Sequence, residues 1–405
     1  MSAVPPAAVI FCTFAFAYFF SALLRAVTAT LAPVFSAELG LQAGDLGLLA
    51  GAYFFGFAAL QLPLGRALDR FGPRRTAMTL LAVAALGCAA FALATSLPGL
   101  IAARVLIGAG MAAGLMAPLT AYRRLFSHAA QLRANSWMLM TGSLGMVAST
   151  VPVQMLLPLL GWRGLFWGVA AMLLLALLLI TTVLPRDDHV AAATRSAAPG
   201  APVGYASIVR HPLFVRTAPL GFFLYGGLIA VQSLWAGPWL TRVSGWTATE
   251  AAQGLFAINA AMLVAFGAWG AVMPQLAHRG VTPLQLMRWG LPLPLLLLGA
   301  IVTLGEAAAA WHWALWCVTC TFVSVSQPAV GAAFPAALAG RALSAFNLVI
   351  FGGVFCIQWG IGLLIDALRG QGMDEISAFR AAFAAFGICC VASYAWFLRA
   401  ADNRG

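Results

Sequence analysis

The sequence predicts an all-α membrane protein with twelve transmembrane helices. Hydrophobic residues make up 62% of the chain and charged residues 8%, and the mean hydropathy is +0.94. Apolar runs of about 20 residues recur along nearly the whole length, which is what a helix needs to cross a hydrocarbon core about 30 Å thick. The arginines between these runs are unevenly distributed between the two sides, as in proteins with a fixed membrane topology.

Polar and turn-forming segments divide the chain into the predicted helices. The first apolar run follows no basic segment and no clear cleavage site, so we interpret it as a membrane helix and not as a signal peptide. An arginine-rich segment separates helices 2 and 3, and Gly161 opens helix 6. The predicted helices span roughly residues 9–34, 46–64, 76–95, 100–122, a fifth that follows Arg133 and ends near 160, then 161–184, 213–240, 249–273, 283–304, 311–334, 342–368 and 377–399.

The predicted helices fall into two groups of six, in residues 1–185 and 213–405. Residues 186–212 are rich in Ala, Pro and Gly, which predicts a mobile cytoplasmic linker. The halves share short patterns, because residues 33–45 align without gaps on residues 238–250 and match Gly40 with Gly245 and Asp45 with Glu250. Internal repetition of this kind predicts two pseudo-symmetric bundles around a site near the middle of the membrane.

The charge of the chain predicts its topology. The net charge is +11, and all 22 cationic residues are arginines. Sixteen fall on one side of the predicted helices and four on the other, while Arg25 and Arg104 lie within helices. This split predicts that both termini are cytoplasmic. It also explains the positive net charge by membrane topology, so the charge does not indicate a nucleic-acid partner. The seven cysteines lie in apolar runs and predict no metal site.

A short basic motif lies between predicted helices 2 and 3. Its arginines cannot lie in hydrocarbon, so it predicts a tight cytoplasmic turn. The motif resembles the signature loop of the major facilitator superfamily, Gly-x-x-x-Asp-Arg-x-Gly-Arg-Arg, with one added residue at Pro73. The resemblance implies twelve helices in two six-helix bundles, alternating access and a latch that holds one conformation; a plain basic turn is the alternative. The latch residues would be Gly65, Asp69, Arg70, Gly72, Arg74 and Arg75.

Arg25 is the most informative single residue. It lies eight residues before Pro33, about 12 Å below the end of helix 1 at ~1.5 Å per residue. A charge at that depth costs at least ~2.5–3.5 kcal/mol and usually faces a cavity. Arg104 lies at similar depth in helix 4 and begins Arg-x-x-x-Gly-x-Gly, which resembles a family motif, although Ile107 stands where a Gln is often found. For both arginines a purely structural role is the alternative.

The predicted spans carry no acid well inside them, so two buried cations favour an anionic substrate. Helical spacing adds candidate partners. Tyr18 lies seven residues before Arg25, and Tyr225, Gln232 and Trp235 repeat the corresponding offsets in helix 7. The further mid-span amides Gln327, Asn347 and Gln358 predict either substrate contacts or hydrogen bonds between helices.

We predict a multi-pass secondary transporter of the bacterial inner membrane that moves a small organic anion bound by Arg25, with Arg104 in support. We expect it to be monomeric and to need no cofactor; coupling to protons is left open. An efflux pump for amphipathic compounds is the main alternative, because the spans are rich in Phe and Trp. A transport-dead sensor is more remote. An enzyme is disfavoured, because the histidines on the cytoplasmic side are scattered.

Overall fold

The computed structural model describes residues 6–185 and 205–402; the side chains of a few helical residues in these ranges, Asp69 and His128 among them, lie outside the description. Every regular element in the described ranges is a helix, which confirms the predicted all-α membrane fold. The predicted linker lies largely in residues 186–204, outside the described residues, and the short helix Tyr205–Val209 occupies its last part.

Six membrane helices come from the first half of the chain. They are α1 (Ala7–Leu39), α2 (43–71), α3 (73–93), α4 (Leu97–Leu125), α5 (128–160) and α6 (162–183). The second half contributes α7 (Pro212–Val243), α8 (Ala248–His278), α9 (Pro283–Ala307), α10 (Ala310–Ala332), α11 (Ala336–Gly370) and α12 (Glu375–Asp402). We call the membrane face at which α1 begins the proximal face and the opposite one the distal face.

Two glycines with positive φ set the boundaries that give this number of helices. In the described ranges, length and composition identify ten membrane-crossing helices, or eleven when the bent pair at Leu60 counts as one. Gly72 (φ 80°, ψ 166°) and Gly161 (φ 61°, ψ 169°) each interrupt an otherwise continuous helical run. Residues with a Cβ avoid this backbone region. The chain therefore reverses at both glycines, which yields twelve segments.

The turn predicted over residues 65–75 is corrected by the structure. Helix α2 continues through the motif to residue 71, and Gly72 is the residue there that leaves helical geometry. Pro73 follows at the start of α3, where its missing N–H has no helical partner to lose. The arginines of the motif thus project from two helix ends, because a helix can extend beyond the hydrocarbon and keep its backbone hydrogen bonds.

The repeat predicted between the two halves has a structural counterpart. Gly40 (φ 65°) ends α1 and Gly245 (φ 71°) follows α7, so both distal turns use the same left-handed glycine. Asp45 accepts a hydrogen bond from the backbone N–H of Gln42 (3.1 Å), and Glu250 accepts one from Thr247 (2.8 Å). Both helices that follow begin with an acidic cap, as the gapless alignment of the segments indicates.

Helices α2 and α11 pack antiparallel across the boundary between the bundles and close its distal side. A Cβ on Gly47 would lie 2.3 Å from the Gln358 carbonyl oxygen, and a Cβ on Gly362 would lie 2.3 Å from the Ala43 carbonyl oxygen. Glycines of this kind let helix backbones touch. The Asp366 carboxylate, near the end of α11, accepts hydrogen bonds from the first backbone N–H groups of α2, those of Ala43 (3.1 Å) and Gly44 (2.6 Å).

Three tryptophans of α10, a residue type that is enriched at membrane interfaces, lie in different surroundings in the structure. Trp311 is 63% exposed, whereas Trp313 and Trp316 are fully buried. Trp313 packs edge-on against Trp239 of α7 (5.3 Å between ring centroids) and Phe383 of α12 (5.4 Å). Only Trp311 therefore suits a membrane interface; the other two face the interior of the second bundle, because α10 turns that side towards α7 and α12.

Candidate substrate-binding site

A cavity of about 370 Å³ lies between the two bundles. Helices α1, α2, α4 and α5 line one side, and α7, α8, α10 and α11 line the other. Its distal end is covered by aromatic side chains at the α2–α11 contact, where the Phe57 ring meets Phe351 at 4.5 Å and the Phe54 ring stacks on Phe351 at 6.1 Å. A cavity between pseudo-symmetric bundles is the position at which transporters hold their substrates.

Arg25 is the charged residue of this cavity within the described part of the chain. Its Nε is buried and has no hydrogen-bond partner. The guanidinium carbon lies 6.0 Å from the centroid of the Phe57 ring, and the hydroxyls of Tyr18 and Tyr53 are the polar groups that interact with it most closely. No carboxylate among the described residues interacts with this arginine. The site is therefore electropositive and able to bind an anionic group.

Two predicted tyrosines accompany Arg25 in the cavity. Tyr18 of α1 and Tyr225 of α7 both line it, and both interact electrostatically with Arg25. Tyr225 ends the first of three π-helical turns in α7, residues Gly221–Tyr225. Such turns are frequent at functional sites because they change the direction in which a helix presents its side chains. The structure thus brings together the two tyrosines that occupy corresponding offsets in helices 1 and 7.

The second bundle contributes an amide pair to the same cavity. Gln327 of α10 donates a hydrogen bond from Nε2 to Oδ1 of Asn347 of α11 (2.5 Å). Both side chains line the cavity. The bond uses one donor and one acceptor, so the Asn347 amide nitrogen and the Gln327 carbonyl oxygen retain hydrogen-bonding capacity. The pair can bind a polar group of a ligand whose other end lies at Arg25.

Arg104 is not among the residues that line the cavity. It is 1% exposed and donates from Nη1 to the Leu24 carbonyl oxygen (2.9 Å) and from Nη2 to Oγ1 of Thr28 (2.6 Å). Its Nε points to the Leu49 carbonyl oxygen of α2 (3.5 Å). The donors of Arg104 join α4 to α1 and α2, so the structure places it outside the cavity wall, and its support of substrate binding stays a prediction.

Three further predicted residues lie inside the second bundle, away from the cavity walls. Gln232 donates from Nε2 to Oδ1 of Asn259 (2.9 Å), and the Trp235 Nε1 donates to the Gln358 carbonyl oxygen (3.2 Å). The Gln358 side chain donates from Nε2 to Oγ of Ser233 (2.9 Å). These groups join α7 to α8 and α11. Their positions along the sequence gave their depth, but the rotation of α7 and α11 turned them towards neighbouring helices.

Several residues of the cavity were missed by the sequence reasoning. A helical offset could have found some of them, because Ser21 lies between Tyr18 and Arg25 on one face of α1, and Gln61 lies one turn after Phe57 on α2. Methionines and phenylalanines of the walls carry no such signal in an apolar chain. The missed residues include Ser21, Phe57, Gln61, Met111, Met116, Ser143, Met146, Phe266, Ser324 and Phe351.

The residues of the predicted latch lie at the proximal ends of α2 and α3. Arg74 donates from Nη2 to the Thr181 carbonyl oxygen (2.7 Å), which ties α3 to α6 within the first bundle. The Arg70 guanidinium lies 5.2 Å from the centroid of the Phe71 ring. The Asp69 side chain lies outside the described residues. A latch between the bundles at this face stays a prediction.

Comparison with known proteins identifies the family. The sequence profile of the Major Facilitator Superfamily matches residues 14–357. The chain belongs to the Major Facilitator Superfamily. It is therefore a multi-pass membrane protein of this family, whose members are transporters that bind small-molecule substrates within the lipid bilayer.

Two curated relatives match part of this superfamily member. One is a chloramphenicol resistance protein of Streptomyces lividans, 34% identical over 168 residues, which cover 41% of this chain and 42% of the relative. The other is an uncharacterized MFS-type transporter of Mycobacterium tuberculosis, 30% identical over 181 residues, which cover 42% of this chain and 30% of the relative. The matched regions thus span less than half the length of both relatives.

Solved structures of superfamily transporters share the fold over nearly the whole chain. A bacterial homologue of the human lysosomal transporter Spinster superposes with a TM-score of 0.74 at 18% identity, covering 98% of both chains. A D-xylose–proton symporter superposes with a TM-score of 0.71 at 16% identity, covering 96% of this chain and 95% of the other. At these identities the likeness establishes the twelve-helix, two-bundle architecture.

Proposed function

We propose that this transporter moves a small amphipathic organic anion by alternating access, with Arg25 binding the anionic group. The observation that carries the proposal is the buried, unpartnered Nε of Arg25 beside a cavity whose described lining contains no Asp, Glu or His. A guanidinium can bind a carboxylate through two parallel hydrogen bonds. A carboxylate would therefore supply an acceptor that the described residues do not offer to the Nε of Arg25.

The remaining lining of the cavity suits an amphipathic ligand that carries a second polar group. Phe57 and Phe351 present aromatic surface next to Arg25, and several methionines add adaptable apolar area. The amide pair Gln327 and Asn347 belongs to the other bundle. A ligand that binds Arg25 at one end and this pair at the other would contact both bundles, which is what a transporter needs if binding is to favour movement of one bundle against the other.

Hippurate carries these three features, because it joins an aromatic ring, an amide and a carboxylate. The test is a thermal-shift titration of the detergent-purified protein with hippurate and with its neutral amide, hippuramide. A ligand at 100 times its dissociation constant stabilises a protein by about 2.7 kcal/mol. We expect hippurate to raise the Tm of wild type, Arg25→Gln to abolish the shift, and Arg25→Lys to retain part of it, since an ammonium keeps the charge without the bidentate geometry.

Arg163→Gln is the matched control. Arg163 is an exposed distal arginine that pairs with Glu38 (2.5 Å) and does not line the cavity. Its loss should leave the hippurate shift unchanged. Equal shifts from hippurate and hippuramide in wild type and Arg25→Gln would show that the charge of Arg25 plays no part in binding, and the anion proposal would fail.

Efflux of uncharged amphipathic compounds is the second candidate function. The chloramphenicol resistance protein that matches 41% of this chain favours it, as does the apolar cavity wall. Expression in a bacterial host that lacks its main efflux pumps tests it directly. If the chain raises the inhibitory concentration of chloramphenicol, and Arg25→Gln raises it equally, efflux of neutral compounds is the better assignment.

We also propose a location and a topology. The excess of arginines at the proximal side supports a cytoplasmic proximal face, with both termini inside, in a bacterial inner membrane. We propose a monomer that carries out transport and no catalysis. Green fluorescent protein fused to the C-terminus should fluoresce if that end is cytoplasmic, and a fusion to the distal turn after Gly370 should not.

A further inference from the structure

We infer that this protein is an anion exchanger, which crosses between its two conformations readily only with an anion bound at Arg25. The inference rests on the proposed function, because it requires an anionic substrate. It adds the mode of transport, which the proposed function leaves open. It is carried by the distribution of carboxylates over the described parts of the chain.

Every carboxylate whose side chain the structure describes lies at the distal ends of the helices. Most of these groups are engaged there. Glu38 pairs with Arg163, and Glu375 pairs with Arg242 (2.7 Å). Asp366 binds the first N–H groups of α2 across the bundle boundary. The full described set is Glu38, Asp45, Glu250, Glu306, Asp366, Asp374 and Glu375.

The charge of Arg25 is therefore compensated only by neutral groups within the described residues. These are the hydroxyls of Tyr18 and Tyr53 and the ring of Phe57. Hydroxyl dipoles and an aromatic face stabilise a cation much less than a carboxylate does, because neither carries a net charge. With an anion bound, the net charge of the cavity falls from one positive charge to zero.

This difference matters when the bundles move. Alternating access passes through a state in which the cavity is shut from both faces and most of its water is expelled. An unpaired arginine then remains in a low-dielectric interior, whereas an arginine with a bound anion crosses as a neutral pair. The known penalty for placing one arginine at mid-membrane corresponds to a rate factor of roughly 50 or more. The empty protein should therefore return slowly and the loaded protein quickly.

Anion exchange also needs no proton to drive transport, in contrast to proton-coupled transporters. If proton movement drove transport past a permanently charged arginine, the cavity would need a side chain that gains and loses a proton, such as Asp, Glu or His. The described lining contains none of these side chains. When one anion enters and another of equal charge leaves, no net charge crosses the membrane and no proton is required. The gradient of the counter-anion then drives the cycle.

The test uses the full-length protein in liposomes with radiolabelled hippurate outside and the same potassium HEPES buffer, free of chloride and of small carboxylates, on both sides. Uptake is compared between vesicles preloaded with unlabelled hippurate and vesicles without it, with valinomycin and potassium holding the membrane potential at zero. Protein-free vesicles give the passive background. We expect preloading to accelerate uptake at least about tenfold in wild type. An imposed pH gradient should not accelerate uptake into vesicles that contain no hippurate.

The outcomes separate this inference from the proposed function. Rapid uptake that is equal with and without internal hippurate, or uptake driven by the pH gradient, would overturn exchange and leave anion transport standing. Absence of uptake in both kinds of vesicle, together with absence of a hippurate thermal shift, would overturn the anion proposal and exchange with it. A large preloading effect in wild type that survives unchanged in Arg25→Gln would overturn the inference in its stated form, because exchange would then not depend on an anion bound at Arg25.

Discussion

At the scale of single residues, Arg25 and Arg104 are the informative comparison. The sequence places them at similar depth in two helices of the same bundle, yet their surroundings differ. Arg104 donates to the Leu24 carbonyl oxygen and to Thr28, and its guanidinium lies 5.4 Å from the Tyr53 ring centroid. Arg25 retains a buried nitrogen without a partner. Arg104 therefore finds acceptors within its own bundle, whereas the described residues offer no acceptor to the Nε of Arg25.

This contrast predicts opposite effects of the same substitution. Arg104→Met removes charged hydrogen bonds that join α4 to α1 and α2, each contributing about 1.5–3 kcal/mol before the relief of burying a charge is counted. We expect a net destabilisation of about 1–3 kcal/mol, visible as a lower Tm in detergent. Arg25→Met should change the Tm of the ligand-free protein little. Equal Tm values for the two variants would contradict the structural role assigned to Arg104.

At the scale of elements, the antiparallel pair α2 and α11 determines which face is closed. Its glycines bring the backbones into contact, and Asp366 of α11 caps the first turn of α2. A carboxylate at a helix N-terminus satisfies free N–H groups and interacts favourably with the helix dipole. Because donor and acceptor belong to different bundles, this cap stabilises the closed distal face in addition to the helix itself.

Asp366→Asn should therefore weaken distal closure by about 1 kcal/mol, since the charge is lost while one acceptor oxygen remains. The measurement is the distance between spin labels at Ala37→Cys and Thr241→Cys, which line one distal recess between α1 and α7. The exposed Cys12 and Cys356 are first replaced by Ser. We expect a population with a longer label distance in the variant.

Asp374→Asn is the control for that experiment. Asp374 also lies at the distal face, but it accepts a hydrogen bond from the Ser377 backbone N–H (2.9 Å) at the start of α12, within one bundle. Hydrogen bonds from Ser377 hold the pKa of the Asp374 carboxyl below its usual range. The label distances should not change in this variant. If both substitutions lengthen the distance equally, the effect belongs to the surface charge of the distal face and not to the cap on α2.

At the scale of the whole molecule, the two bundles meet at their distal ends through several independent contacts. Arg242 of α7 donates from Nη2 to Oγ of Ser36 of α1 (2.9 Å), next to the cap made by Asp366. A Cβ on Gly237 would lie 2.6 Å from the Ala29 carbonyl oxygen, so α1 and α7 are also in backbone contact there. Transport by alternating access requires these contacts to separate in each cycle.

A cross-link at this face should stop transport. In the same double variant, Ala37→Cys with Thr241→Cys, a short thiol-reactive cross-linker would join α1 to α7 and hold the distal face closed. Uptake of labelled substrate into liposomes is expected to fall to the protein-free background, while hippurate binding, measured by thermal shift, is retained. Each single cysteine variant treated with the same reagent is the control. Full uptake in the cross-linked protein would show that the distal contacts stay closed during transport.

The sequence by itself determined the membrane class, the helix order, the relation of the two halves and the depth of the polar residues. These depend on local chemistry: hydropathy over the length of a span, glycines that permit positive φ at Gly40, Gly72, Gly161 and Gly245, and acidic caps that repeat in both halves. It also singled out Arg25, because placing an arginine near the middle of an apolar run has a high free-energy cost and usually reflects a functional role.

Only the tertiary structure decided which of these polar residues surround the cavity. Spacing along a helix gives depth and relative angle, but the absolute rotation of each helix and the identity of its neighbours arise from packing. That packing gave Arg104 the carbonyl oxygen of Leu24, gave Gln232 the side chain of Asn259 and left Tyr18, Tyr225, Gln327 and Asn347 around Arg25. Whether a buried donor is satisfied depends on atoms from distant parts of the chain, which no local pattern specifies.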